Sequence, residues 1–370
     1  MTDTTVSTSW SDRSDRDRKM HINFFVAFTQ TLLASISAIR SIFDNCGAAP
    51  EGDVLFLTAP TRAGKTTALD EFMIDLHARL REERAETGDI VEDLGRITAT
   101  MSIRIKTTTG YERPFVKVFV DKNPTYKGLL ADILRAMGVK KIPRTMSGHE
   151  RLDLLIQQII KQKTQVIAFD ETQHISEFRG REGNYTAADV IKSLVKAGGV
   201  QIICCGLPHA REIADANQQV EELISTVHTV KPLPLDLQPD SELRTFLGTL
   251  SGELPFDYPS DLADPPLALR IGLFCDGYQG RIAKLVHRAV DYAVTQKLPC
   301  LDNNVFASLL RDRFEVPDTA NIFLMADDAL TGYRRFVEEK KKERILEAEH
   351  RRTAETPSRR TRSAFGARGK

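Results

Sequence analysis

Residues 54–67 read V-L-F-L-T-A-P-T-R-A-G-K-T-T, and the fold follows from how that stretch is read. The apolar run Val54–Leu57 predicts a buried parallel strand. After a turn, apolar residues at Ala68, Leu69, Phe72 and Met73 take helical spacing. A strand, a glycine-containing turn and a helix are the setting of the phosphate-binding pattern G-x-x-x-x-G-K-[ST]. Gly64, Lys65 and Thr66 satisfy its second half, while Ala59 stands where the first glycine is usual. The loop has to aim successive backbone N–H groups at phosphate oxygens, helped by the positive end of the helix. A side chain at position 64 would obstruct that approach, whereas a methyl at the strand exit is tolerable. Lys65 would bring charge to the β- and γ-phosphates and Thr66 a hydroxyl to Mg²⁺. The candidate nucleotide contacts are therefore Ala59, Pro60, Thr61, Arg62, Ala63, Gly64, Lys65, Thr66 and Thr67.

A second motif lies about one hundred residues on. Gln165–Thr172 reads Q-V-I-A-F-D-E-T, an apolar strand that ends in two acids. Burying carboxylates at a sheet end is costly unless a cation is present. Asp170 can hold Mg²⁺, and Glu171 can polarise an attacking water as general base. Gln173 and His174 follow as candidates for sensing nucleotide or for capping the strand end.

The 370 residues balance 51 basic against 51 acidic side chains, so no global field draws the chain to nucleic acid, and such binding has to come from local patches. The five cysteines (Cys46, Cys204, Cys205, Cys275, Cys300) show no C-x-x-C spacing, which argues for reduced thiols without zinc. No apolar run approaches a membrane span, and the polar start does not resemble a secretion signal. A cytoplasmic protein with no membrane partner is expected.

Along the chain, residues 1–20 read as a loose end, with Trp10 as a docking point for a partner. His21–Phe43 reads as one amphipathic helix packed on an α/β core that extends to residue 235. Glu86–Arg113 looks inserted, with alternating residues that suggest a hairpin. Strands at Phe115–Val120, Gln165–Phe169 and Val200–Cys205 alternate with helices, which predicts a parallel sheet sandwiched by helices. From residue 236 to 330 helix follows helix, a small C-terminal lid. Residues 331–370 form a charged tail with a basic end at Arg351–Lys370, of disordered composition.

The combination A-P-T-R-A-G-K-T, V-I-A-F-D-E-T-Q-H-I, I-I-C-C-G-L-P-H-A-R-E-I and G-Y-Q-G-R-I-A-K-L-V resembles the TniB/TnsC group of AAA+ regulators of Tn7-like and Tn5053-like transposons. The likeness covers about residues 20–315. It implies a P-loop AAA+ domain with a helical lid, ATP and Mg²⁺ as cofactors, and ATP hydrolysis, which the departures below are expected to slow. It also implies self-assembly into a filament or ring with a hexameric turn on double-stranded DNA, between a TniQ-type adaptor and a transposase. Lys65 and Thr66 match the nucleotide and Mg²⁺ positions, and Asp170 and Glu171 the acidic pair. Arg281 matches an arginine at the start of a lid helix that can reach the γ-phosphate. Lys127 and Thr145 match two residues that follow a DNA strand, with Lys140, Lys141 and Arg144 thickening the same patch. Two departures bear on turnover. Leu207 replaces a usual polar residue after the strand glycine, and Val220–Ser225 lacks an Arg-Phe pair, leaving Arg211 as the nearest substitute for an arginine acting across a subunit boundary. Another P-loop ATPase, of helicase-loader or secretion type, and a DNA scaffold with little hydrolysis are the alternatives.

Overall fold

The computed structural model describes residues 9–122, 124–176, 181–215 and 218–330, with 332, 333, 335, 339 and 343 beyond them. Most of the expected charged tail falls outside these residues. At the centre lies β1 (Val54–Thr58), every residue of it buried. It pairs in parallel with β8 (Gln201–Gly206) on one side and β9 (Ile224–Thr229) on the other. Beyond β8 come β7 (Val166–Asp170) and β6 (Phe115–Phe119), also parallel, and then the antiparallel edge β3 (Met101–Ser102). The sheet order is β3-β6-β7-β8-β1-β9. The strand order therefore reverses at β1, and the crevice beyond its carboxyl end is where open α/β sheets take their ligands.

Alternation along β1 divides the core into two layers. Val54 and Phe56 face α4 (Tyr126–Ala136), α5 (Gly148–Lys161) and α7 (Arg181–Gly198). Leu55 and Leu57 face α2 (Gln30–Asp44) and α3 (Lys65–Glu83). One ion pair sits inside this packing. Lys117 of β6, 1% exposed, holds Asp70 of α3. The expected insertion folds as a three-stranded antiparallel sheet of β2 (Ile90–Val91), β4 (Ile105–Thr107) and β5 (Gly110–Glu112), while β3 joins the main sheet. Two short helices, α6 (Gln173–Ser176) and α8 (Glu212–Asp215), and a third, α9 (Gln218–Glu221), follow the strand ends.

The lid contains α10 (Glu242–Gly252), α11 (Pro265–Phe274), α12 (Gln279–Thr295) and α13 (Asn303–Phe314) around an apolar cluster of its own. No described helix is long and apolar enough to cross a membrane.

Three expectations change. The stretch 21–43 is not one helix: α1 (Asp15–Phe24) ends, residues 25–29 run extended, and Thr29 starts α2 by accepting the Leu32 N–H at 3.0 Å. The two halves then go to different bodies. Ile22 and Ala27 bury in the lid cluster, whereas Leu32, Ile36 and Ile39 bury in the core. Residues 9–20 are held as well. The Trp10 N–H donates to Asp257 at 2.7 Å, its ring meets His21, and Arg13 lies over it. Trp10 thus fastens its own chain to the lid. Finally, β9 is an added strand. Its S-T-V-H-T composition is too polar for the apolar-run criterion, because one edge of it faces solvent.

A candidate nucleotide site between core and lid

The site is assembled at the exit of β1. Arg62 and Gly64 take left-handed φ values of 59° and 98°, which turn the loop back under the start of α3. The φ of Gly64 favours glycine, and a Cβ there would also stand 2.9 Å from the Gln279 side-chain amide, which would have to shift. No side chain caps the N-terminus of α3, a 19-residue helix, and its first-turn amides remain open to an anion. Lys65 is 7% exposed and donates to the carbonyls of Ala59 at 2.8 Å and Pro60 at 3.0 Å. Burial pulls its ammonium below the ordinary lysine value, against the opposing pull of Cys205, Glu171 and Asp170. Ala59 and Pro60 therefore serve through their carbonyls, while Thr61–Thr67 line the cavity.

The acidic pair closes the other side. The Thr66 hydroxyl donates to Asp170 at 2.9 Å, joining the two motifs across 104 residues of chain. Glu171, at φ 60°, turns out of β7 and faces the cavity. Gln173 is 3% exposed; its amide donates to the Glu171 carboxylate, and its carbonyl accepts the Leu207 N–H at 3.0 Å. A Cβ at Gly206 would stand 2.8 Å from that carbonyl, so the end of β8 is shaped around Gln173. His174 goes elsewhere: Nδ1 donates to the Val120 carbonyl at 2.7 Å, sealing the end of β6.

A cavity of about 630 Å³ opens above the loop. Its floor is the phosphate loop and Glu171, one wall is Phe25–Ala27, and the roof is α10 and α12. The start of α12 sits directly on the loop. A Cβ on Gly280 would come within 2.5 Å of the Arg62 carbonyl, and Thr29 donates to Gln279. This cradle fits an anionic ligand with an apolar part: its lining combines the helix start and a buried cation with Phe25, Phe246 and Leu250.

Arg281 stands in the first turn of α12, at the start of a lid helix as expected. Its guanidinium pairs with Asp276 at 2.5 Å, stacks on Tyr278 and reaches the Thr61 carbonyl at 3.4 Å, and it is not among the cavity-lining residues. On the same helix Gln279, Gly280, Ala283, Lys284 and His287 face the cavity. The sequence reading passed over Lys284 and His287. The signal was their placement four and seven residues after Gly280, the helical spacing that brings side chains onto one face. Arg211 is exposed at the end of the turn Pro208–Arg211 that follows β8, and it lies outside this cavity.

The residues expected to contact DNA are all exposed. Lys127 opens α4, and Lys140, Lys141, Arg144 and Thr145 lie on the loop before α5. Arg151, 8% exposed and absent from the sequence reading, brings them together by donating to the carbonyls of Lys127 at 2.7 Å and Pro143 at 3.2 Å.

Comparison with known proteins agrees with this geometry. A family model described as an AAA domain matches residues 51–214. No curated protein matches the sequence. Among solved structures, the Aeropyrum pernix ORC1 protein in complex with DNA aligns over 83% of this chain and 71% of its own, at 16% identity and a TM-score of 0.55. Cdc6p from Pyrobaculum aerophilum aligns over 82% and 73%, at 11% and 0.56. The Aeropyrum pernix ORC2 protein in its ADPNP-ADP complexes aligns over 80% and 71%, at 16% and 0.52. At such identities the likeness is one of fold. The strand reversal at β1, the loop with its buried lysine and the matched family model lead to one conclusion: residues 51–214 form an AAA domain, and the chain is built on the AAA+ P-loop fold.

Proposed function

We propose that this protein is an ATP-dependent regulator of the TniB/TnsC type, which assembles on target DNA and links a TniQ-type adaptor to a transposase. The observation that carries the nucleotide part is the Thr66–Asp170 contact at 2.9 Å beside buried Lys65. A hydroxyl beside a carboxylate is a donor set suited to the Mg²⁺ of a triphosphate, which supports this reading. Among the described residues no group of three or more His, Cys, Asp or Glu can hold a metal alone, so the phosphates would complete the shell. When bound, Mg²⁺ neutralises phosphate charge. Thr66 and Asp170 would hold the metal, Lys65 would exchange a loop carbonyl for a phosphate oxygen, and Glu171 would accept the proton of the water that attacks the γ-phosphorus, ADP leaving, at the carboxylate oxygen that Gln173 leaves open. Hydrolysis is slow in this reading, because Leu207 offers no side-chain donor after β8 and Val220–Ser225 lacks the Arg-Phe pair that would act across a subunit boundary. ATP then acts chiefly as an assembly switch.

The DNA part is supported by the exposed lysines and Arg144 that Arg151 gathers. Phosphate contacts of that kind are independent of sequence and sensitive to salt, as acceptance of any target requires. The adaptor and the transposase rest on the sequence resemblance alone. Electron microscopy of protein, duplex DNA and a slowly hydrolysed ATP analogue tests the assignment. Filaments or rings that need the analogue are expected; isolated particles in its presence would refute it.

A further inference from the structure

A second cavity, of about 400 Å³, shares no lining residue with the nucleotide site. It opens where the inserted segment meets the edge strand β3 and the end of α4. Four arginines line it (Arg96, Arg104, Arg113, Arg135) against two acids, Glu92 and Asp93. The acids do not balance the charge. Glu92 is taken by Arg104 at 3.0 Å, Asp93 accepts the Gly95 N–H at 3.4 Å, and Arg135 pairs with Asp132 of its own helix at 2.6 Å. Arg96 and Arg113 have no ion-pair partner among the described residues. Arg113 is the fixed member. Its Nη1 donates to Gln162 at 2.7 Å, and its guanidinium lies over Tyr111. Gly138 leaves it room, since a Cβ there would collide with Nη2. That Nη2 has no hydrogen-bond partner among the described residues and, unlike Nε, is not sealed from solvent. Burial, with Arg104 nearby, pulls the guanidinium below its ordinary value, against Glu92 and Tyr111. Like charges crowded in a half-buried pocket are unfavourable, and an anion among them relieves the cost.

We propose that this cavity binds a phosphate group, held by Arg96 and Arg113, with Arg104 and Arg135 adding positive charge around it. The four cations come from separate pieces of chain: the β2–β3 loop, the β3–β4 link, the approach to β6, and α4. A tetrahedral phosphate offers oxygens in several directions, whereas a carboxylate offers two in one plane, so this arrangement favours phosphate. Two sources carry that chemistry, a free phosphate compound and a duplex backbone reaching past Lys140 and Lys141, which follow Gly138 in the chain. The site does not depend on the nucleotide reading.

The test is titration calorimetry of inorganic phosphate into the full chain, at constant ionic strength, with Mg²⁺ and ADP added to fill the phosphate loop. Saturable binding is expected, weakened roughly tenfold in Arg96→Ala, whose exposed side chain has no internal partner to lose. Arg113→Lys, which keeps the charge and loses the fork, should weaken it as well. Comparison of the variants locates the binding whether or not ADP occupies the loop. No saturable binding, or equal binding in parent and both variants, would overturn the proposal. Duplex binding across a salt series then separates the sources. In Arg96→Ala, a slope of log affinity against log salt reduced by about 1 assigns the group to the duplex backbone. An unchanged slope beside weakened phosphate binding assigns it to a free compound, and either result supports the site.

Discussion

Lys65 and Glu171 divide the work of the site by the company they keep. Lys65 is held by two carbonyls of its own loop, neutral acceptors that a phosphate oxygen can outbid. Glu171 has one oxygen tethered by Gln173 and faces the cavity with the rest. Glu171→Gln should therefore lower ATP turnover by about 10²–10⁴-fold with ATP affinity retained; a joint loss of affinity would assign Glu171 to binding instead. His287 gives a prediction in pH. Its folded value of about 4 lies below the ordinary 6.5, so between the two the unfolded chain binds a proton that the folded chain does not. Stability contributed by the neutral ring is present above 6.5 and is lost as pH falls toward 4. Melting scans from pH 6.5 to 5 should show a falling Tm, with a shallower slope in His287→Leu. At this scale the sequence was most legible where chemistry restricts residue type, as at Gly64, Lys65, Thr66 and Asp170. It was less complete at Arg281, because a motif gives a position on a helix and leaves out that Asp276 and Tyr278 hold the side chain.

Among the elements, α3 and β6 are tied together by Lys117 and Asp70 beneath the phosphate loop. Burial raises Asp70 while Lys117 lowers it, the mark of a pair that depends on both members. Lys117→Met should destabilise the fold by about 3 kcal/mol, since a half-buried carboxylate is left without its cation. Adding Asp70→Leu should restore most of that loss in chemical denaturation. The pair of α4 and the following loop carries the DNA prediction: Lys127→Ala should reduce the slope of log affinity against log salt by about 1. An unchanged slope would take Lys127 off the interface. Elements with unbroken apolar runs or clear helical spacing, such as β1, β7 and α5, were readable in sequence. The helix expected over 21–43 was not, because Ile22, Phe25 and Phe28 imitate helical spacing while Thr29 restarts the helix and Ala27 follows the lid. The edge strand β9 was hidden by its half-exposed polar composition.

For the whole molecule, the decisive feature is that the chain passes from lid to core through residues 25–29, along the wall of the cavity. Lid and core meet there, at Thr29–Gln279 and at the Gly280 approach to Arg62. A ligand that fills this space touches both bodies, so its arrival can set the angle between them and hence the surfaces offered to a neighbour. The most direct measurement is cosedimentation of protein with duplex DNA, for the parent and Lys65→Ala, with and without Mg²⁺ and ATP. The account predicts that only the parent with ATP coats the duplex. Equal coating by Lys65→Ala, or coating by the parent that ignores ATP, would contradict it.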